Sequence, residues 1–138
     1  MTAIEYFNHG EIFRDSGACD VVSIPLGGGM RMLMLSGVAA ENPDGTFGQA
    51  NPAAADIAGQ VAFVWARIGA LLKAHDASLD NIVKVTFYTT DSRYLMDPIA
   101  TSLGANFTGR TRPAATGVVV SGLAWPELLV EVDVTAIV

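Results

Sequence analysis

The chain has 138 residues, with eight Lys and Arg against 14 Asp and Glu and a net charge of −6. That length fits one domain over 1–138 with a real core, and 51% hydrophobic against 16% charged residues is too apolar for disorder. The acidic balance argues against a nucleic-acid partner, which would need a basic stripe; so little charge on a small domain points instead to an oligomer with a covered apolar face.

The first ten residues lack the basic start and apolar run of a secretion signal. The longest apolar stretch, Val61 to Leu72, is broken by Arg67 and falls short of the ~20 residues a membrane span needs. Cys19 is alone, and no Cys/His spacing suits a metal. The expectation is a cytoplasmic protein with no membrane partner, no metal and no cofactor.

In chain order, Asp20 to Leu26 and Arg31 to Ser36 read as two strands, and Gly27-Gly28-Gly29 between them supplies the positive φ of a hairpin turn. These glycines lack the strand–GxGxxG–helix setting of a nucleotide loop. Asn42-Pro43-Asp44-Gly45 is turn chemistry. Asn51-Pro52 reads as N-cap and first residue of a helix running to about His75, with Ile57, Val61, Val64, Ile68 and Leu71 on its core stripe. Ala58, Ala62, Ala66 and Gly69 give it a second side that another element could approach closely. Phe63 and Trp65 fall off the stripe, where they either cover the sheet edge or touch a neighbour.

Ile82 to Thr89 alternates, with Val83, Val85 and Phe87 on one face and Lys84, Thr86 and Tyr88 on the other. Asp97-Pro98 reads as the start of a short second helix whose Leu95, Ile99, Leu103 and Phe107 step by four. Arg110-Thr111-Arg112-Pro113 is a loop, and Ala115 to Gly122 and Leu128 to Ile137 close the chain as strands. The order strand, strand, helix, strand, helix, strand, strand predicts an α+β domain, a mainly antiparallel sheet with both helices on one face.

The last strand bears most on chemistry. Leu128, Val130, Val132 and Val134 form its apolar face, and Glu131 and Asp133 lie ~6.5–7 Å apart on the other. Either that face is solvated, the common fate of polar alternates, or it is an assembly surface that holds a carboxylate at a subunit cleft. There, partial burial would raise its pKa and suit it to acid/base work on water. His9 in a terminal segment and His75 at a helix end read as surface or capping residues, and Cys19 as a small apolar side chain.

The C-terminal quarter, Arg112-Pro113-Ala114-Ala115-Thr116-Gly117-Val118 followed by Pro126-Glu127-Leu128-Leu129-Val130-Glu131-Val132-Asp133, resembles the RidA (YjgF/YER057c/UK114) family. Leu35-Ser36-Gly37, the turn at 42–45 and Leu79-Asp80-Asn81-Ile82-Val83-Lys84-Val85-Thr86 match in order, so the likeness covers roughly 20–138. It implies a chorismate-mutase-like fold assembled as a homotrimer, whose sheets form a central barrel with clefts between subunits. It also implies hydrolysis of reactive enamines and imines to a 2-oxo acid and ammonia. In the family an Arg grips the substrate carboxylate, the backbone just after it binds substrate, and a strand Glu positions water. Older family labels are translation inhibitor and endoribonuclease.

By that resemblance Glu131 is the water-positioning catalytic residue, and Thr116 and Gly117 bind substrate. The Arg does not carry over: Ala115 stands in its place and cannot make a bidentate pair with a carboxylate. The Tyr of the family's first hairpin is also missing, and one extra residue lies between Thr116 and Glu131, reshaping the loop at 122–125. Arg112 is the first candidate to replace the lost Arg, ahead of Arg110, Arg14 and Arg31; Trp125 either lines the cleft or packs. The expected function is a RidA-like enamine/imine deaminase acting on a small molecule at subunit clefts. The alternative is a non-catalytic trimer that binds a metabolite or protein partner.

Overall fold

A computed structural model describes residues 3–10, 17–41, 56–109 and 112–138. Seven strands form one mixed sheet: β1 (Glu5–Phe7), β2 (Val21–Gly27), β3 (Met30–Leu35), β4 (Val38–Ala39), β5 (Ile82–Thr89), β6 (Ala114–Val119) and β7 (Val130–Ile137). They run in the order β1-β2-β3-β7-β5-β6, with β4 also paired to β7. Helices α1 (Ile57–Lys73) and α2 (Thr101–Asn106) join this sheet in the expected α+β arrangement.

The β2–β3 hairpin turns at the glycine run, where Gly27, Gly28 and Gly29 have φ of 88°, 63° and 80°, values that cost an L-residue dearly. All pairings are antiparallel except β5–β6. That parallel pair requires a crossover, which α2 supplies. The 3-10 turn Leu79–Asn81 launches β5, and the Asn81 amide donates to the carbonyl of Ile137 at 3.1 Å, tying that launch to the end of β7.

Val61, Val64, Trp65, Ile68, Leu71 and Leu72 of α1 are buried against Val21, Leu33, Val85, Phe87, Val130, Val132 and Val134 of the sheet, together with Ile99 and Phe107 from the α2 region. Every second residue of β7 is thus inward, the period a half-covered sheet demands. No helix among the described residues is long and apolar enough to cross a membrane.

Several local expectations change. The first helix begins after Asp56, which is extended (φ −126°, ψ 171°) and whose Oδ1 accepts from Gly59 N at 2.6 Å, so Asp56 rather than Asn51 is its N-cap. Asn51-Pro52 and the turn at 42–45 lie outside the described residues. Val83 is exposed because the β5–β7 register shifts between Ile82 and Lys84, so Ile82 joins Val85 and Phe87 on the core face. Trp65 is a core residue: its ring stands edge-on to Phe87 and Phe107, and its indole N–H donates to Ser102 Oγ at 2.9 Å. Asp97 is extended (φ −146°, ψ 122°), the conformation a following proline favours, inside the irregular helical stretch Leu95–Ala100 that leads into α2. Strand β6 stops at Val119 rather than Gly122, and β1 and β4, three and two residues long, were not expected.

The small-residue side of α1 does not receive another element tightly. Ala58, Ala62 and Ala66 instead form one wall of a groove of ≈ 570 Å³, with Thr101, Ser102 and Ala105 opposite.

Candidate functional site

On β7, Glu131 sits in register with Ala39 of β4 and Tyr88 of β5, on the sheet face that carries no helix. Its carboxyl group lies over Gly37. A Cβ on that glycine would come within 2.9 Å of the carboxyl carbon, which gives the Leu35-Ser36-Gly37 segment its physical reason for a glycine. Glu131 is half-buried, and burial first, then the charges of Asp133 and Glu41, raise its pKa above the usual carboxylate value. No group among the described residues donates to its oxygens, so they are available to water.

The surroundings of Glu131 are fixed from two sides. The Tyr88 hydroxyl donates to Asp133 Oδ2 at 3.1 Å, and the charge of Asp133 together with that bond raises the phenol's pKa. Glu41 and Arg67 are buried, and the Arg67 guanidinium donates to Ala39 O at 3.1 Å and lies 4.3 Å over the Phe63 ring. Burial pulls the pKa of Arg67 down to about 10, against the charge of Glu41, which raises it. The buried amide of Gln60 bridges Glu127 O at 2.9 Å and Leu129 N at 2.8 Å, and Thr89 Oγ1 donates to Leu129 O at 2.7 Å. These bonds anchor the chain immediately before Glu131.

Strand β6 carries the other half of the predicted site. Ala115 pairs with Val85 and Gly117 with Phe87, both core residues, so Ala115 and Gly117 point to the helix side while Thr116 points to the open face. Thr116 Oγ1 accepts from Lys84 Nζ at 2.7 Å. A Cβ on Gly117 would fall 2.8 Å from Leu95 Cδ2, so a side chain there would push that leucine methyl aside. Between them is a cavity of ≈ 270 Å³ lined by Phe87, Leu95, Met96, Ile99, Ala115 and Gly117 among others. Arg112 borders a neighbouring cavity of ≈ 310 Å³ that shares Ala100 and Leu103 with the first.

Within one chain these halves do not meet. Strand β5 separates β7 from β6, about 10 Å at normal strand spacing, and Gly117 faces the opposite side of the sheet from Glu131. Trp125 is 40% exposed in the loop between β6 and β7. Arg31 is remote: it pairs with Pro25 at the hairpin end and donates to His75 O at 3.0 Å. Arg14 and Arg110 lie outside the described residues.

The two histidines depart most from expectation. The Nε2 atoms of His9 and His75 are 2.9 Å apart, so one ring donates to the other, and Phe7 is stacked with His9 and edge-on to His75. His75 is buried rather than on the surface, and burial, then His9 and Arg31, lower its pKa. Sequence reasoning also passed over Tyr88, Glu41 and Arg67. Tyr88 had a signal as a polar alternate of β5, and Arg67 as the one charge inside an apolar stretch; Glu41 had none.

The sequence pattern of the family described as Endoribonuclease L-PSP matches residues 29–138. No curated protein matches the chain. Among solved structures, YyfA from Yersinia pestis, a protein of unknown function in the conserved Rid protein family, is 26% identical, covers 97% of this chain and 98% of its own, and superposes with a TM-score of 0.78. Rv2704 from Mycobacterium tuberculosis, of the YjgF/YER057c/UK114 family, is 25% identical over 99% and 100% of the two chains with a TM-score of 0.75. RidA from the Antarctic bacterium Psychrobacter sp. PAMC 21119 shares the fold at 18% identity, over 97% and 99% of the chains, with a TM-score of 0.77. With four-fifths of its length matched and the sheet order and helices in place, the chain belongs to the Endoribonuclease L-PSP, or YjgF/YER057c/UK114 (RidA), family.

Proposed function

We propose that the protein is a hydrolytic enamine/imine deaminase that works as a homotrimer, with its clefts between subunits and Glu131 positioning water. The observation that carries this reading is Glu131 itself: half-buried, raised in pKa, seated on Gly37, with oxygens that no described group occupies. A carboxyl group so tuned can take a proton from water as the water adds to the imine carbon. That proton passes to the imine nitrogen to complete the carbinolamine; the carboxyl group then carries the hydroxyl proton to the same nitrogen as the C–N bond breaks, which releases ammonia and leaves the 2-oxo acid.

Assembly supports the reading because one chain holds two separated halves. Strand β6 is an edge with an unpaired side, and an edge left free invites association. The open sheet face exposes Tyr6 (68%), Met34 (47%) and Val118 (37%), more apolar surface than a solvated face carries. Packing that face against further copies would bring Glu131 of one subunit to Thr116 and the β6 edge of the next.

The test generates imines in situ with an amino-acid oxidase and traps the unhydrolysed fraction with semicarbazide. Wild type is expected to cut trapping for some imine and Glu131→Ala to lose that effect. Equal rates for the two proteins would refute the catalytic reading.

One observation favours a second reading, a non-catalytic binding trimer: the cavity at Ala115 is lined by apolar side chains and Thr116, with no charged group, where the family's cation would stand. It predicts ligands that raise the melting temperature without being turned over.

A further inference from the structure

Arg67 on α1 and Glu41 just past β4 are buried charges. Burying charge is costly, and apolar residues of similar volume often fill such positions with no loss of stability. These two instead converge on the short segment that carries Glu131. Ser36 fixes its start: the hydroxyl donates to Cys19 O at 2.6 Å and the backbone N–H to Asp20 O at 3.0 Å. Gly37 then seats the Glu131 carboxyl group, and Val38 and Ala39 pair with Val132 and Glu131 of β7. The Ala39 carbonyl closes the segment by accepting twice, from the Arg67 guanidinium at 3.1 Å and from Glu41 N at 2.9 Å. The second bond spans only three residues, so the guanidinium is what ties this turn to the helix layer. Glu41 is near enough for its charge to raise the pKa of both Arg67 and Glu131. On the open face the other titratable neighbours of Glu131 are Asp133 on β7 and Tyr88 of β5, whose hydroxyl is bonded to Asp133. Lys84, further along β5, is bonded to Thr116.

We propose that Arg67 and Glu41 are a buried pair of positioning residues for Glu131: the guanidinium holds the segment that seats its carboxyl group, and Glu41 places a negative charge behind it. The positioning needs only this geometry, while its effect on rate rests on the deaminase reading. The pair would set both where the carboxyl group stands and how readily it takes a proton, without either residue touching substrate.

Two measurements on the full chain test this without turnover. NMR of protein carrying isotope-labelled glutamate follows the Glu131 carboxyl group, assigned by its loss in Glu131→Gln. Glu41→Gln should lower the Glu131 titration midpoint by about 0.5 pH unit or more, a roughly threefold change in proton affinity. A crystal structure of Arg67→Met should show the Glu131 carboxyl group displaced by about 0.5 Å or more. Arg67→Gln, whose shorter amide falls short of the Ala39 carbonyl, replaces that variant if it does not fold. In imine hydrolysis Arg67→Met should lower kcat about tenfold with KM nearly unchanged, and Arg67→Lys, which keeps a cation and a donor, should recover most of the loss. An unmoved midpoint in folded Glu41→Gln, an unmoved carboxyl group in a folded Arg67 variant, or no recovery by Arg67→Lys overturns the inference. A lowered midpoint and a displaced carboxyl group without hydrolysis of any imine uphold it and overturn the deaminase reading. Imine hydrolysis with both unmoved does the reverse.

Discussion

Along β7, Val130, Val132, Val134 and Ala136 are buried with the helices, while Glu131, Asp133 and Thr135 between them face the open side. The same backbone therefore serves two surfaces with different rules. On the helix side the interior is close-packed and apolar, so side chains there are fixed by volume. On the open side Tyr88 bonds Asp133 and Lys84 bonds Thr116, on a face that also exposes Tyr6 and Met34. The difference teaches where stability and function separate in this chain: adjacent residues of one strand can be tested for one without the other.

The largest effect should come from the helix side. Phe107 is fully buried against Trp65, and Phe107→Ala removes a ring from the core cluster. A loss of about 3–5 kcal/mol is expected, read from the urea midpoint at fixed protein concentration. Glu131→Ala, on the other face, should leave that midpoint nearly in place; a comparable loss there would erase the division between the faces.

Assembly is next. Met34 lies in a cross-strand row with Val22 and Thr135 on the open face, and Met34→Glu puts a charge in its middle. Sedimentation equilibrium should show wild type as a trimer and the variant shifted to monomer with its circular dichroism intact. A wild-type monomer would mean that the open face is simply solvated.

A smaller and more local change is Gly37→Ala. Its added methyl would meet the Glu131 carboxyl carbon at 2.9 Å, so the carboxyl group must move. Displacing a catalytic group by about 1 Å can cost on the order of 100-fold in rate. The expected outcome is a fall in kcat of tenfold or more for imine hydrolysis at near wild-type stability. Unchanged kcat would show that the seat of Glu131 on Gly37 has no catalytic role.

How far the sequence revealed these features depended on whether their cause was periodic. The 57–71 stripe and the alternation of β7 follow from geometry repeated over several residues, and both were legible to within a few positions. Strands β1 and β4 are too short to show a period. The shift at Val83 arises from pairing with β7, which no local pattern encodes. At the site, Glu131 could be named from its strand and the resemblance, but its seat on Gly37 joins residues 94 apart in the chain. The histidine contact is likewise a product of the fold, since β1 and the end of α1 meet only once the sheet forms.

That contact gives the smallest predicted effect, and its sign opposes that of Glu131. Burial and the neighbours His9 and Arg31 lower the His75 pKa below its ordinary 6.5, with Asp76 and Glu5 acting weakly the other way. The unfolded chain therefore binds this proton at higher pH than the folded one. The stability His75 contributes is complete above pH 6.5 and declines as pH falls through its folded pKa. Glu131, raised above 4.5, behaves oppositely: its contribution is present below that pH and is lost as pH rises through the folded value. Urea midpoints from pH 7.5 down to 4.5 should separate the two groups. His75→Phe, which keeps a ring beside Phe7 but binds no proton, should flatten the loss below pH 6.5 and leave the Glu131 branch unchanged. Glu131→Gln should raise stability at pH 7 and lose that gain toward pH 4.5. If His75→Phe retains the full wild-type slope, the acid sensitivity belongs to another group, and the two-histidine contact does not set the pH response of the helix-side edge.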